Sequence, residues 1–99
     1  MIIAVDFDNV IHDQKHSVPG RRMGPPMPGT KDALTQLKHN GHQVVIFSVW
    51  GDRPNVIADW MAYWKIPYDD ITRLKPNADL FIDDKAVTFT NWAEMMAWI

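Results

Sequence analysis

The chain has 99 residues, 46% of them hydrophobic and 22% charged, which makes it one globular domain with a modest core, too short for a separate substrate-binding domain and neither disordered nor fibrous. It has no cysteine, so disulfide frameworks, thiolate metal sites and Cys nucleophiles are excluded. Ten basic against 12 acidic residues give a formal charge of −2, which does not support nucleic-acid binding but does not exclude it.

Met1 to Val5 is a β-branched apolar run that stops at Asp6, the pattern of a short strand buried on both faces of a parallel sheet. It meets Asp6 too soon for a signal peptide, and no apolar stretch is long enough to span a bilayer, so a soluble cytoplasmic protein is expected. Residues 7–29 hold Pro19, Gly20, Gly24, Pro25, Pro26, Pro28 and Gly29, too many breakers for a helix or central strand. A long loop follows, with residues 11–29 read as a flap over a functional edge. Thr30 is placed to cap a helix with Ala33, Leu34 and Leu37 on one face, and Asn40-Gly41 supplies its stop.

Gln43 to Ser48 repeats the pattern of the first strand, again ending on a polar residue. After Trp50-Gly51-Asp52, Pro54 suits a helix start, and Val56, Ile57, Trp60, Met61 and Trp64 recur at helical spacing until Pro67. Asp79 to Asp84 holds a third apolar run, Leu80-Phe81-Ile82, ending in two carboxylates. Asn91 with Glu94 resembles a capping box for a last helix carrying Trp92, Met95, Met96 and Ile99. Strands alternating with helices predict an α/β fold, a three-layer Rossmann-like sandwich around a central parallel sheet.

Of the 12 acidic residues 11 are Asp and only Glu94 is Glu, a bias toward the short carboxylate that suits turns, caps and metal sites. In open parallel sheets ligands sit at the carboxyl ends of strands. The predicted strands end on Asp6 and Asp8, on Ser48, and on Asp83 and Asp84. Four carboxylates converging there would repel one another unless a cation kept them ionised, and hard oxygen ligands suit Mg²⁺.

Asp6-Phe7-Asp8-Asn9-Val10, Ser48 after an apolar strand, Lys75-Pro76, and Asp83-Asp84 after Phe81-Ile82 resemble the four ordered motifs of the haloacid dehalogenase-like hydrolase superfamily. The resemblance spans residues 2–87 and implies a Rossmann-like fold and Mg²⁺-dependent phosphoryl transfer through an aspartyl-phosphate. Asp6 and Asp8, two apart on an extended chain, can approach one phosphorus in different roles: Asp6 as nucleophile, Asp8 as the acid that protonates the leaving oxygen and then activates water. Ser48 would donate to a phosphoryl oxygen, and Lys75 would neutralise charge there. Asp6, Asp8 through its backbone carbonyl, Asp83 and Asp84 would hold the metal, with the direct ligand of the acidic pair left open. Asn9, Val49 and Arg53 are the candidate substrate contacts. The Gly-Thr usual after the second acid is Asn9-Val10 here, and many relatives place an Arg two residues after the Ser, where this chain has Trp50.

His12 and His16 fall in the loop beyond the first motif, where they could contact a leaving group, although solvent-exposed histidines are expected there. Arg21 and Arg22 could bind a second anionic group across the mouth, with Arg73 near it, or be ordinary exposed basic residues. His39 and His42 lie at the far end of a helix and receive none.

Cap domains in this superfamily are inserted after the first motif or between the second and third. Here 21 residues separate Asp8 from Thr30 and 26 separate Ser48 from Lys75, too few for a cap. The resemblance then implies a capless phosphatase, expected to act on a small phosphorylated metabolite such as a sugar phosphate or nucleotide. The alternatives are a phosphatase for a macromolecule, a polynucleotide 3′-end or phosphoprotein, and a non-catalytic Mg²⁺- or phosphate-binding module. Five Trp in this length exceed the evident needs of the core and point to a homo-oligomer.

Overall fold

The computed structural model describes residues 1–16, 23–48, 54–74, 76–83 and 90–99. In chain order the elements are β1 (Ile2–Asp6), α1 (Thr30–His39), β2 (Gln43–Phe47), α2 (Pro54–Trp64), β3 (Asp70–Thr72), β4 (Leu80–Ile82) and α3 (Trp92–Trp98), with a single 3₁₀ turn at Gln14–His16. The fold is α/β: the strands form one sheet in the order β3-β2-β1-β4, every pair parallel.

The unbroken apolar runs explain which strands are central. Successive side chains of a strand point to opposite faces, yet Ile3, Ala4 and Val5 are all at most 1% exposed and Val44, Val45 and Ile46 are all buried. The sheet is covered on both sides at β1 and β2, as parallel sheets require. The core joins Ile3, Val5, Val44, Ile46 and Ile82 to Leu34 and Leu37 of α1 and Met61 of α2.

β3 is a strand within the segment expected only to connect α2 to the third apolar run. It is three residues long, with Ile71 as its apolar member, so no alternation marks it. Two Asp residues set the register of the short edge strands in the same way. Asp69 N–H donates to the Val44 carbonyl (2.8 Å) and its Oδ2 accepts from Val44 N–H (2.6 Å). Asp79 does the same with Ile2, at 2.8 and 2.7 Å.

Both long helices end alike. Gly41 N–H reaches Lys38 O and His42 N–H reaches Leu37 O after α1, while Lys65 N–H reaches Ala62 O and Ile66 N–H reaches Met61 O after α2. Each is a Schellman motif with its left-handed residue at Gly41 (φ 88°) or Lys65 (φ 57°). At α3, Asn91 Oδ1 accepts from Glu94 N–H at 2.9 Å, which makes the expected cap, and the Glu94 carboxylate takes the Thr90 hydroxyl.

Thr30 is a correction. It is the first helical residue of α1, preceded by Gly29 at φ 84° with no side-chain cap. The residue is 1% exposed, and its hydroxyl accepts the Trp92 indole N–H at 3.0 Å, so a tertiary partner from α3 has taken the group that could have capped the helix. Two of the tryptophans likewise serve the interior: Trp92 is 3% and Trp60 8% exposed. Among the described residues no helix is long and apolar enough to cross a membrane.

Candidate active site at the carboxyl edge

Because the strands are parallel, their carboxyl ends share one edge. The register sets Asp6 opposite Phe47 and Val5 opposite Ile82, so Ser48 and Asp83, each one residue past its strand, come out beside the end of β1. Asp6 and Asp83 are half-buried and Ser48 is 4% exposed. Asp6 Oδ1 accepts from Phe7 N–H at 2.8 Å, and Ser48 N–H is anchored on the Thr72 carbonyl at 3.1 Å. Thus three of the expected site residues, Asp6, Ser48 and Asp83, are gathered by strand pairing.

Asp8 follows through a tight loop. Ile11 N–H and His12 N–H both donate to the Phe7 carbonyl, Asn9 N–H donates to the His12 carbonyl at 2.7 Å, and Asn9 adopts φ 64°. Asn tolerates the left-handed region better than most residues, so it can serve where the motif it resembles carries glycine. Its amide contacts Gln14 at 3.5 Å. Val10 is completely buried and fills the core.

The start and end of the expected flap pair with each other. Asp13 N–H donates to Pro25 O (2.8 Å) and Met27 N–H to Ile11 O (2.7 Å), a hairpin-like contact. His12, expected in solvent, is 3% exposed. Its Nδ1 lies 2.9 Å from Asp8 Oδ1, and its Nε2 accepts from Gly24 N–H at 2.7 Å. Its ring stacks on Phe7 (centroids 5.2 Å apart, planes 12°) and meets the edge of Trp60 at 5.6 Å. The burial of His12 depends on Gly24 and on α2, both remote in sequence, which is why local pattern could not show it. His16 does remain in solvent, with its ring on Asp13 Oδ2 at 2.6 Å. Burial raises the Asp13 carboxyl, but the hydrogen bond and charge of His16 outweigh that and hold it below the ordinary carboxylate range.

Lys75, Asp84, Val49, Arg53, Arg21 and Arg22 lie outside the described residues. Arg73 is exposed after β3. Among the described residues no three His, Asp or Glu side chains converge as a ligand set. Asp6 and Asp83, on neighbouring strand ends, fit a hard divalent cation in the kind of donor they offer, with water completing its shell. Between residues 23–25 and α2 lies a groove of about 600 Å³, with Met23, Pro25, Trp60, Tyr63 and Trp64 among its walls; nothing local in the sequence marks it.

No protein-family model matches the chain, and no curated protein matches it. The solved structure of a conserved protein from Bacteroides thetaiotaomicron is similar, with a TM-score of 0.75 and 27% identity over 96% of this chain and 85% of that one. The α/β fold is therefore shared over nearly the whole length.

Proposed function

We propose that the chain is an Mg²⁺-dependent phosphomonoesterase of the haloacid dehalogenase-like kind, working through an aspartyl-phosphate on Asp6. The observation that carries this reading is the parallel register that brings Asp6, Ser48 and Asp83 to one edge, with Asp8 two residues beyond Asp6. The two carboxylates have different surroundings, Asp6 held by the backbone that follows it and Asp8 by an imidazole, which suits different roles in one reaction.

An Asp6 carboxylate oxygen attacks phosphorus, and the bond from phosphorus to the leaving oxygen breaks as Asp8 gives that oxygen its proton. Asp8 then takes a proton from water, the water oxygen attacks phosphorus, and the bond to Asp6 breaks. Inorganic phosphate leaves, Asp6 returns as a carboxylate and Asp8 is protonated again. Ser48 donates to a phosphoryl oxygen and Lys75 offsets its negative charge. Asp6, Asp83, Asp84 and the Asp8 carbonyl are the groups that would hold Mg²⁺. When bound, the ion supplies positive charge beside the transferring phosphoryl group.

The substrate class is a small phosphorylated metabolite, and the proposed setting is the cytoplasm. A macromolecular phosphate ester is the second reading, favoured by segments too short for a cap over the edge. The −2 charge disfavours a polynucleotide. Hydrolysis of an aryl phosphate, with and without Mg²⁺, is the first test. Turnover should require Mg²⁺ and fall by on the order of a thousandfold or more in Asp6→Asn, since a nucleophile is lost. No Mg²⁺-dependent turnover leaves the non-catalytic binding module as the better account, and undiminished turnover in Asp6→Asn overturns the aspartyl-phosphate on Asp6. A panel of metabolites beside a 3′-phosphorylated oligonucleotide separates the two substrate classes.

A further inference from the structure

We propose that His12 is a positioning residue for Asp8: its single ring proton sits on Nδ1, directed at Asp8 Oδ1, and fixes the carboxyl group so that Oδ2 is the oxygen that exchanges a proton with substrate and water. The catalytic consequence rests on the phosphatase reading; the proton's place on the ring does not.

The assignment follows from one contact that allows no alternative direction. A backbone N–H can only donate, and Gly24 N–H points at His12 Nε2 at 2.7 Å, so Nε2 must offer its lone pair. In a neutral imidazole the proton is then on Nδ1. That nitrogen lies 2.9 Å from Asp8 Oδ1, and the interaction is a hydrogen bond donated to the carboxyl group rather than an ion pair. It works in both halves of the proposed cycle. With Asp8 protonated the proton sits on Oδ2, and with Asp8 ionised Oδ1 still accepts from the imidazole.

The ring cannot readily turn away. Its side chain is 4% exposed; Phe7 lies flat against it and Trp60 meets it edge-on. Trp60 is itself pinned by its indole N–H on the Gly24 carbonyl at 3.1 Å. Gly24 thus holds the imidazole with its N–H and the neighbouring indole with its C=O, so both groups of one flap residue orient the surroundings of Asp8. At Asp8 the apolar enclosure ends: its side chain is 24% exposed, and among the described residues its Oδ2 takes no hydrogen bond. The backbone reinforces the pair through a parallel bridge between Asp8 and His12.

Two substitutions separate the ring's two bonds. His12→Asn retains a donor at the δ position, near Asp8; His12→Gln retains an acceptor at the ε position, for Gly24, and loses the donor. With an aryl phosphate and Mg²⁺, kcat should fall about tenfold or more in His12→Gln, a part of what a well-placed general acid contributes, with KM little changed. His12→Asn should recover most of that loss. In an Asp8→Asn background His12→Gln should cost nothing further, because His12 acts through Asp8. Wild-type kcat in a folded His12→Gln, or the same loss in both backgrounds, overturns the positioning role. Long-range proton–nitrogen NMR of the wild-type imidazole gives a readout independent of turnover and of whether the variants fold. A proton on Nδ1 with Nε2 bare is expected; a proton on Nε2 overturns the proposal. If the wild type hydrolyses nothing, the phosphatase reading and the catalytic role assigned to His12 fail together, while the NMR result still decides whether its proton is aimed at Asp8.

Discussion

Asn9 and Lys65 are the non-glycine residues with positive φ among those described, and they show two uses of the same backbone state. At Asn9 the left-handed turn lets the chain leave β1 and fold back, so that Asp8 and His12 meet. At Lys65 it ends α2, where Gly41 does the same for α1. An L-residue with a Cβ is strained in this region and glycine is not. Lys65→Gly is therefore expected to stabilise the protein by about 0.5–1 kcal/mol, read as a higher urea midpoint at unchanged slope. His12 illustrates the limit of residue-level reading. A histidine among loop residues looks solvated, and only its contacts with Gly24, Phe7 and Trp60 reveal a buried ring with both nitrogens engaged.

At the scale of elements, the aspartates divide by the edge of the sheet they serve. Asp6 and Asp83 stand at the carboxyl ends of β1 and β4, where the proposed chemistry lies. Asp69 and Asp79 precede β3 and β4, and each clasps the start of the neighbouring strand by its own N–H and its carboxylate. Such clasps suit strands of three residues, whose few ladder bonds specify register weakly. Asp69 also takes Lys38 Nζ at 2.5 and 2.7 Å. Burial raises its carboxyl, but the Lys38 and Val44 hydrogen bonds and the Lys38 charge outweigh that and leave it below the ordinary value of 3.8. A depressed native pKa stabilises the fold above the unfolded value, and the contribution disappears as pH falls through the native value. Asp69→Asn should accordingly cost about 1–2 kcal/mol at pH 7. The gap from wild type, followed by denaturation, should close on acidification below 3.8. A gap that stays constant with pH would show that shape, not charge, is what the clasp needs.

The whole molecule has a radius of gyration of 12.5 Å, close to the roughly 13 Å of a compact domain of about 100 residues. Burial of Trp60 and Trp92 removes part of the reason for expecting an oligomer, yet Tyr63 is 77% and Trp64 38% exposed on α2, their rings 5.2 Å apart. We propose that the expected homo-oligomer forms through this aromatic face, beside the groove between flap and helix. Sedimentation at micromolar concentration should give an oligomer that Tyr63→Lys with Trp64→Lys dissociates. A wild-type monomer removes the proposal.

Much of the architecture was legible because its causes are local. Apolar runs bounded by polar residues make β1, β2 and β4, helical spacing makes α1, α2 and α3, and Asn40-Gly41 and Asn91 mark helix ends. The juxtaposition of Asp6, Ser48 and Asp83 was also foreseeable, since parallel strands put their carboxyl ends together. Packing decided the rest. Thr30 gives its hydroxyl to Trp92 instead of its own helix, Asp69 and Asp79 fasten strands instead of facing solvent alone, Asp70–Thr72 becomes a strand because β2 is beside it, and His12 turns from solvent to Asp8. A polar group's partner is chosen by whatever the fold brings within 3 Å of it, and that neighbour is usually distant along the chain.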